Sequence, residues 1–516
     1  LLTGDQIYGD EVAGPLVGHL RALADVLCGP DDATSVPGTP PLGEFVVYGR
    51  EQLVEQAAFT SSMGANHLLS FGEYAAMYLT AWNEGVWPAA FPPPAQAVPD
   101  GHRAKAATAR LRHRYRTELA GLEVARRGLR SVRRVLANTP TAMIFDDHDV
   151  TDDWNLTQGW RDRVRASPTG RRVVANALAA FWGFQGWGNE PEVYGPDFVA
   201  SLTGHLASGD DGDAFDRALW GFDRWSFGLA TDPPTVLLDT RTQRAFDSPE
   251  GAARLIGPGE RVRVAELIRG SGHAAGGPLV LVSPVPVWGL ELQERRQKFL
   301  VGKVGPYEID FEAWHSNLAG FVDAMRLFAE ELGLRSCVLL SGDVHYGMTV
   351  DASFAIGDHR LSVAQLVSSS VKHGGALSRL GLDALGSAVT ATHRRLGWDR
   401  PPELEGHAGL RRRVLSRAAN TDAWDDDSPV FLAPRWARRL GVRRRPDYRE
   451  SRRYVRPEER RASVLLGENN VGLVTVSQGE VVHRLLGRTA GRTRAWTARL
   501  PLGGGRGGGV STPAGG

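Results

Sequence analysis

The chain has 516 residues, 42% hydrophobic and 23% charged, with 60 Lys and Arg against 59 Asp and Glu for a formal net charge of +1. That balance excludes a global field drawing the protein to nucleic acid or membrane, and no apolar run reaches the ~18 residues of a membrane span. Two cysteines, Cys28 and Cys337, exclude a disulfide scaffold and a cysteine-built zinc site.

The chain opens on Leu1-Leu2-Thr3-Gly4-Asp5-Gln6-Ile7-Tyr8-Gly9-Asp10, an apolar strand followed by a glycine turn and an aspartate. It begins inside that strand and without Met, so the natural N-terminus, with any targeting segment, is expected upstream. Glu11 to Leu27 reads as a helix, with Val12, Leu16, Leu20, Leu23 and Leu27 at helical spacing. A Pro/Gly loop over Gly29 to Pro41 leads to a short strand expected at Phe45 to Tyr48. Gly72 to Trp82 and Lys105 to Leu136 read as helices, and the Arg run of the second as a solvated face, not a nucleic-acid surface.

The run Ala142 to Phe145 then delivers Asp146-Asp147-His148-Asp149-Val150-Thr151-Asp152-Asp153. Unpaired, these charges repel one another, so a positive charge is expected among them, and a multivalent metal ion supplies it most economically. Arg171 to Trp187 reads as a helix whose Phe181, Trp182, Phe184 and Trp187 pack. Thr235 to Arg241 is a buried strand ending in Asp239-Thr240-Arg241, and Leu279 to Val287 another, closed by prolines.

Leu318 to Leu332 is a helix leading into Ser336-Cys337-Val338-Leu339-Leu340-Ser341-Gly342-Asp343-Val344-His345, a third apolar strand that ends in Asp and His. Leu361 to Val367 continues as strand. The segment 377–461 is Arg-rich, with an acidic patch at Asp422 to Asp427, and is expected to be an irregular insertion or cap. Closing strands are expected over Ser463 to Gly467, Asn469 to Ser477 and Glu480 to Leu486, with Gln478-Gly479 as a hairpin turn. The Gly-rich tail 503–516 is expected to be disordered. Three strand ends that each deliver Asp or His fit an α/β protein with its site at the strand C-termini.

The blocks Gly4-Asp5-Gln6-Ile7-Tyr8, Asp146-Asp147-His148-Asp149 and Gly342-Asp343-Val344-His345 resemble the signature blocks of the PhoD-like (alkaline phosphatase D type) branch of the metallophosphatase superfamily, in order and in separation. Asp239-Thr240-Arg241 resembles a further block, and the similarity runs to about Arg488. The resemblance implies one α/β domain over 1–488, a four-layer α/β/β/α sandwich of two mixed sheets with a dinuclear metal site at the strand ends. It implies metal ligation by Asp5, Tyr8, Asp147, Asp343 and His345, and Asp146 of the same acidic stretch is a further candidate ligand. By the same match His148 is expected to face the substrate; by their chemistry Asp149 could orient that imidazole and Arg241 could hold a phosphate oxygen.

The family's first ligand block would precede Leu1. No histidine directly follows the strand Leu279 to Val287, where many relatives supply a ligand.

The implied function is metal-dependent hydrolysis of a phosphomonoester or phosphodiester, on a small molecule or lipid, by a metal-bridging hydroxide. Two or more ions are expected. Fe3+, matched to the Tyr8 phenolate, and Ca2+ lead, with Mn2+ or Zn2+ as alternatives. The alternative from another class is a non-catalytic metal-binding protein on the same fold. A glycosidase fits poorly, because every carboxylate cluster here has a His or Tyr beside it.

Overall fold

The computed structural model describes residues 1–29, 36–40, 45–101, 103–208, 212–274, 276–290, 313–369, 392–403, 428–459, 463–477, 479–489 and 492–502, with 382, 386, 387 and 389. The acidic patch at 422–427, the tail 503–516, Gln478 of the hairpin turn and most of the loop at 29–41 lie outside the described residues. The chain is an α/β protein that divides into two compact units. The first comprises 1–225 and 241–251, the second 226–240 and 252–516. The Asp239-Thr240-Arg241 block is thereby divided: Asp239 and Thr240 belong to the second unit, Arg241 to the first.

The first unit is mainly helical around one short parallel pair, β1 (Leu2–Thr3) and β2 (Met143–Ile144), with Leu2 opposite Met143 and Thr3 opposite Ile144. Parallel pairing brings the C-terminal ends of both strands, and so the loops that carry Asp5 and Asp146, to one place. The helices are α1 (Gly14–Cys28), α2 (Glu51–Gln56), α3 (Phe71–Trp82), α4 (Pro94–Ala97), α5 (Lys105–Asn138), α6 (Gln158–Ala166), α7 (Pro168–Phe181), α8 (Trp187–Asn189), α9 (Pro196–Ser208) and α10 (Gly212–Gly221).

Local chemistry sets their starts. Ser70 caps α3 by accepting the Glu73 N–H at 3.2 Å. Ser167 caps α7 by accepting the Gly170 N–H at 3.0 Å, and Pro168 fills the first helical position, where no N–H is needed. Leu16, Val17 and Leu20 of α1, Tyr74 and Tyr78 of α3, and Val173 to Phe181 of α7 share one core with Phe145 and Trp154. The expected strand at Phe45 to Tyr48 is a turn. Tyr48 adopts φ 61°, its N–H goes to Asn66 Oδ1 at 2.6 Å, and its hydroxyl goes to Glu118 Oε2 at 2.6 Å. Its backbone polarity is spent on a side chain instead of a ladder.

The second unit is built on a mixed sheet. Its strands are β3 (Phe227–Leu229), β4 (Thr235–Leu237), β5 (Pro278–Val282), β6 (Ser336–Ser341), β7 (Gly347–Ile356), β8 (His359–Val367), β9 (Thr392–Trp398), β10 (Val430–Leu432), β11 (Tyr448–Tyr454) and β12 (Leu465–Leu466). They run in the order β10-β9-β11-β7-β8-β6-β5-β4-β3, with β12 beside β7.

The run β4-β5-β6-β8 is parallel and the flanking pairs are antiparallel. Helices α11 (Pro258–Gly270) and α12 (Leu318–Arg326) supply crossovers. They bury Val264, Ile268, Phe321 and Met325 against Leu279, Leu281, Cys337 and Leu339. A three-stranded antiparallel sheet follows: β13 (Asn470–Ser477), β14 (Glu480–Thr489) and β15 (Arg492–Pro501).

The segment 377–461, expected as an irregular insertion, contributes β9, β10 and β11 to the main sheet. β11 alternates buried and exposed positions, but its inward residues include Glu450 and Arg452. Glu450 accepts Trp288 Nε1 at 3.0 Å and pairs with His315 Nε2 at 3.3 Å. A strand whose inner face carries charge does not read as alternating hydrophobicity.

Candidate metal centre

The loop after β1 turns at Gly4, where φ is 111° and an added Cβ would lie 2.5 Å from Asp146 Cβ. Only glycine fits there. Asp5 then adopts φ 54°, a left-handed conformation that costs a non-glycine residue about 1–3 kcal/mol. Asp149 holds this backbone in place. Its Oδ2 accepts the N–H of Asp5 at 2.8 Å and of Asp146 at 2.9 Å. Its Oδ1 accepts Gln6 at 3.1 Å, Ile7 at 3.4 Å and the Tyr78 hydroxyl at 3.4 Å. One buried carboxylate therefore clamps the two acidic loops together. Burial pushes the Asp149 carboxyl up to about 7 against the pull of those backbone donors.

The clamp leaves Asp149 no oxygen for the imidazole it is expected to orient. Asp10 takes that role. Its Oδ1 lies 3.0 Å from His148 Nδ1, and its Oδ2 accepts Ser61 Oγ at 2.7 Å and the Asp152 N–H at 3.3 Å. Burial alone would raise the Asp10 carboxyl. The hydrogen bond and charge of His148, with His67 and Ser61, hold it well below the usual carboxylate range instead. An ionised carboxylate only accepts, so Nδ1 carries the proton that faces Asp10. Tyr8 stacks on the same ring at 4.4 Å between centroids. Burial works against the imidazolium, yet Asp147, Asp10 and Asp5 raise His148 well above its ordinary value.

Arg241 is the expected positive charge, though it comes from the chain. It is fully buried, its Nε donates to Asp146 Oδ1, and its Nη2 lies 3.1 Å from Asp147 Oδ1. The second approach is an ion pair at a poor hydrogen-bond angle, since Asp147 Oδ1 has no bonded donor. Asn155 Nδ2 donates to the Arg241 carbonyl at 3.1 Å. Arg241 thus pairs with both Asp146 and Asp147. Its presence holds Asp147 below the usual range, while burial raises Asp146 despite it.

One positive charge does not satisfy the cluster. Oδ1 of Asp5, Oδ2 of Asp146 and Oδ1 of Asp147 are buried and accept no hydrogen bond among the described residues. These three side chains each offer an oxygen, all within 4.8 Å of one another. A second set, Asp147, His148 and Asp152, meets the same criterion. Burial and Asp147 push Asp152 up to about 7, and burial with the same neighbours raises Asp5 well above its ordinary value. Hard, dry, unbonded carboxylate oxygens fit a multivalent cation.

The structure therefore brings together Asp5, Tyr8, Asp146, Asp147, His148, Asp149 and Arg241, all in the first unit. Asp343 and His345 belong to the second unit, past the end of β6. Their φ values are 61° and 58°, and the His345 N–H goes to Ser369 Oγ at 3.0 Å. Sequence reasoning missed Asp10 and Asp152. The signal for Asp10 was its place in the same loop as Asp5, just past Tyr8-Gly9. No family model, no curated protein and no solved structure matches the chain.

Proposed function

We propose that the acidic cluster of the first unit is a metal centre and that the protein is a metal-dependent phosphoesterase. The observation that carries the reading is the set of three buried, unbonded carboxylate oxygens on Asp5, Asp146 and Asp147. The three signature-like blocks and an α/β chain with a large mixed sheet support it. Asp5, Asp146 and Asp147 would hold one cation, and Asp147 and Asp152 would offer oxygens to a second beside the His148 ring. Tyr8 brings a hard phenolic donor to the same loop, which favours Fe3+, with Ca2+, Mn2+ or Zn2+ on the carboxylates.

Bound there, the metal supplies Lewis acidity, activating a water and neutralising charge on a phosphate ester. The chain's own groups do the rest. Asp10 fixes the proton on His148 Nδ1 and aims Nε2, which donates to the leaving oxygen, a step worth ~10²–10⁴ in rate. Arg241 holds Asp146 and Asp147 in place, acting through them.

The test is metal content by mass spectrometry for the full chain and for Asp5→Ala and Asp147→Ala, alongside turnover of p-nitrophenyl phosphate and bis(p-nitrophenyl) phosphate. Metal bound in the parent and lost in the variants, with turnover abolished by chelation, is expected. Turnover indifferent to chelator overturns the reading, as does equal metal in all three proteins. Full metal occupancy without turnover of either ester overturns the catalytic half and leaves a metal-binding protein.

A further inference from the structure

We propose that the distal half of α5 docks the protein on an anionic phospholipid surface. The inference is independent of the metal centre. From Gly121 to Asn138 the helix runs about 27 Å, and nearly every residue along it is exposed. Five arginines, at 126, 127, 130, 133 and 134, fall between Val124 and Asn138 with no Asp or Glu. Three valines on the same stretch are open to solvent: Val124 at 61%, Val132 at 44% and Val135 at 59%.

At about 100° per residue these side chains sort into stripes. Leu122, Leu129 and Leu136 share one line, and Leu122 and Leu129 pack inward. Arg126 and Arg133 lie beside that line and are held by the fold. Arg126 donates to the Pro88 carbonyl at 3.0 Å and sits over the Trp87 ring, and Arg133 is 3.7 Å from Glu84. The valines occupy an arc of about 80° on the outer side, and Arg127, Arg130 and Arg134 an adjoining arc of about 60°. Those three arginines have no ion-pair partner among the described residues. The helix is therefore wider in apolar surface than the unit covers, with a basic flank on the uncovered side.

Charge complementarity selects the occupant. A second copy of the helix would set arginine against arginine. A nucleic-acid duplex would meet the arginines and leave the valines in water. An anionic bilayer surface satisfies both, the valines entering the headgroup–acyl boundary while the arginines extend to lipid phosphates.

The experiment is flotation of the full chain with vesicles of phosphatidylcholine alone or of phosphatidylcholine with phosphatidylglycerol. It is run on the parent, on Arg127→Gln/Arg130→Gln/Arg134→Gln, and on Val124→Asn/Val132→Asn/Val135→Asn, each checked for folding by its melting transition. Binding only to the anionic vesicles is expected, falling with added salt. The arginine variant should bind about a hundredfold more weakly, from the usual gain per basic residue at an anionic surface. The valine variant should weaken while keeping its salt dependence. Should either variant misfold, the salt titration of the parent decides alone. Equal binding to both vesicles, no binding, or binding to duplex DNA with none to vesicles each overturns the proposal.

Discussion

Replacing Asp149 by Asn separates a structural clamp from a catalytic group. The carboxylate accepts four backbone N–H donors, from Asp5, Gln6, Ile7 and Asp146. An amide keeps one accepting oxygen and turns an NH2 toward the donors on the other side. Two backbone N–H groups then lose their acceptor inside the fold, at about 1–3 kcal/mol each. Removing a buried charge returns part of that cost. The net loss is about 3 kcal/mol, a figure set by the number of stranded donors. Urea unfolding followed by tryptophan fluorescence reads it as a lower midpoint at unchanged slope. The control is Asp152→Asn, whose carboxylate clamps no second loop and which should shift the curve by less than about 1 kcal/mol. Metal affinity should fall with Asp149→Asn too, because Asp5 is no longer held in its left-handed conformation. Equal midpoints for the two variants would refute the clamp.

Three further outcomes follow from the same contacts. Arg241→Met strands Asp146 and Asp147, a loss of about 3–5 kcal/mol, seen as a melting temperature about 10 °C lower. The deficit should shrink as pH falls and those carboxylates take up protons, and an unchanged deficit would sink the ion-pair account. In the second unit, His483 is buried with Nδ1 2.8 Å from Thr349 Oγ1, and burial pushes it down from 6.5 to about 4. The unfolded chain takes up that proton near 6.5 and the folded one refuses it until about 4. Stability is thus intact above this window and declines by about 3 kcal/mol as pH drops through it. His483→Gln should flatten the decline. Finally, chelation should lower the melting temperature of the parent by more than that of Asp5→Ala, since a ligand bound only to the folded state at a hundred times its Kd stabilises by ~2.7 kcal/mol.

What the sequence made legible were residues whose meaning is local. The apolar lead-in to Asp146 and the helical spacing in α1 both depend on near neighbours, whereas the helix expected from Arg171 starts at Pro168. Partnerships over long separations were not legible. Asp149 reaches the N–H groups of Asp5, Gln6 and Ile7 across more than 140 positions, and Asp10 reaches His148 across 138. Nothing in either stretch marks which carboxylate binds backbone and which binds the ring. The expected countercharge was right in kind, but its first supplier is Arg241, far along the chain. β11 was hidden for another reason: Glu450 and Arg452 face inward, where a hydrophobic pattern is sought.

The division of the chain at Arg241 has a consequence for biosynthesis. The first unit takes up the chain again at 241–251, after an excursion through 226–240. On the ribosome, Asp146 therefore emerges 95 residues ahead of the arginine that neutralises it. At ordinary elongation rates the interval is about 5–20 s. Through that time the nascent acidic loop lacks the guanidinium that pairs with Asp146 and Asp147 in the fold. A fragment ending at residue 225 makes that state permanent, so any excised first unit must carry 241–251 to hold its own charge.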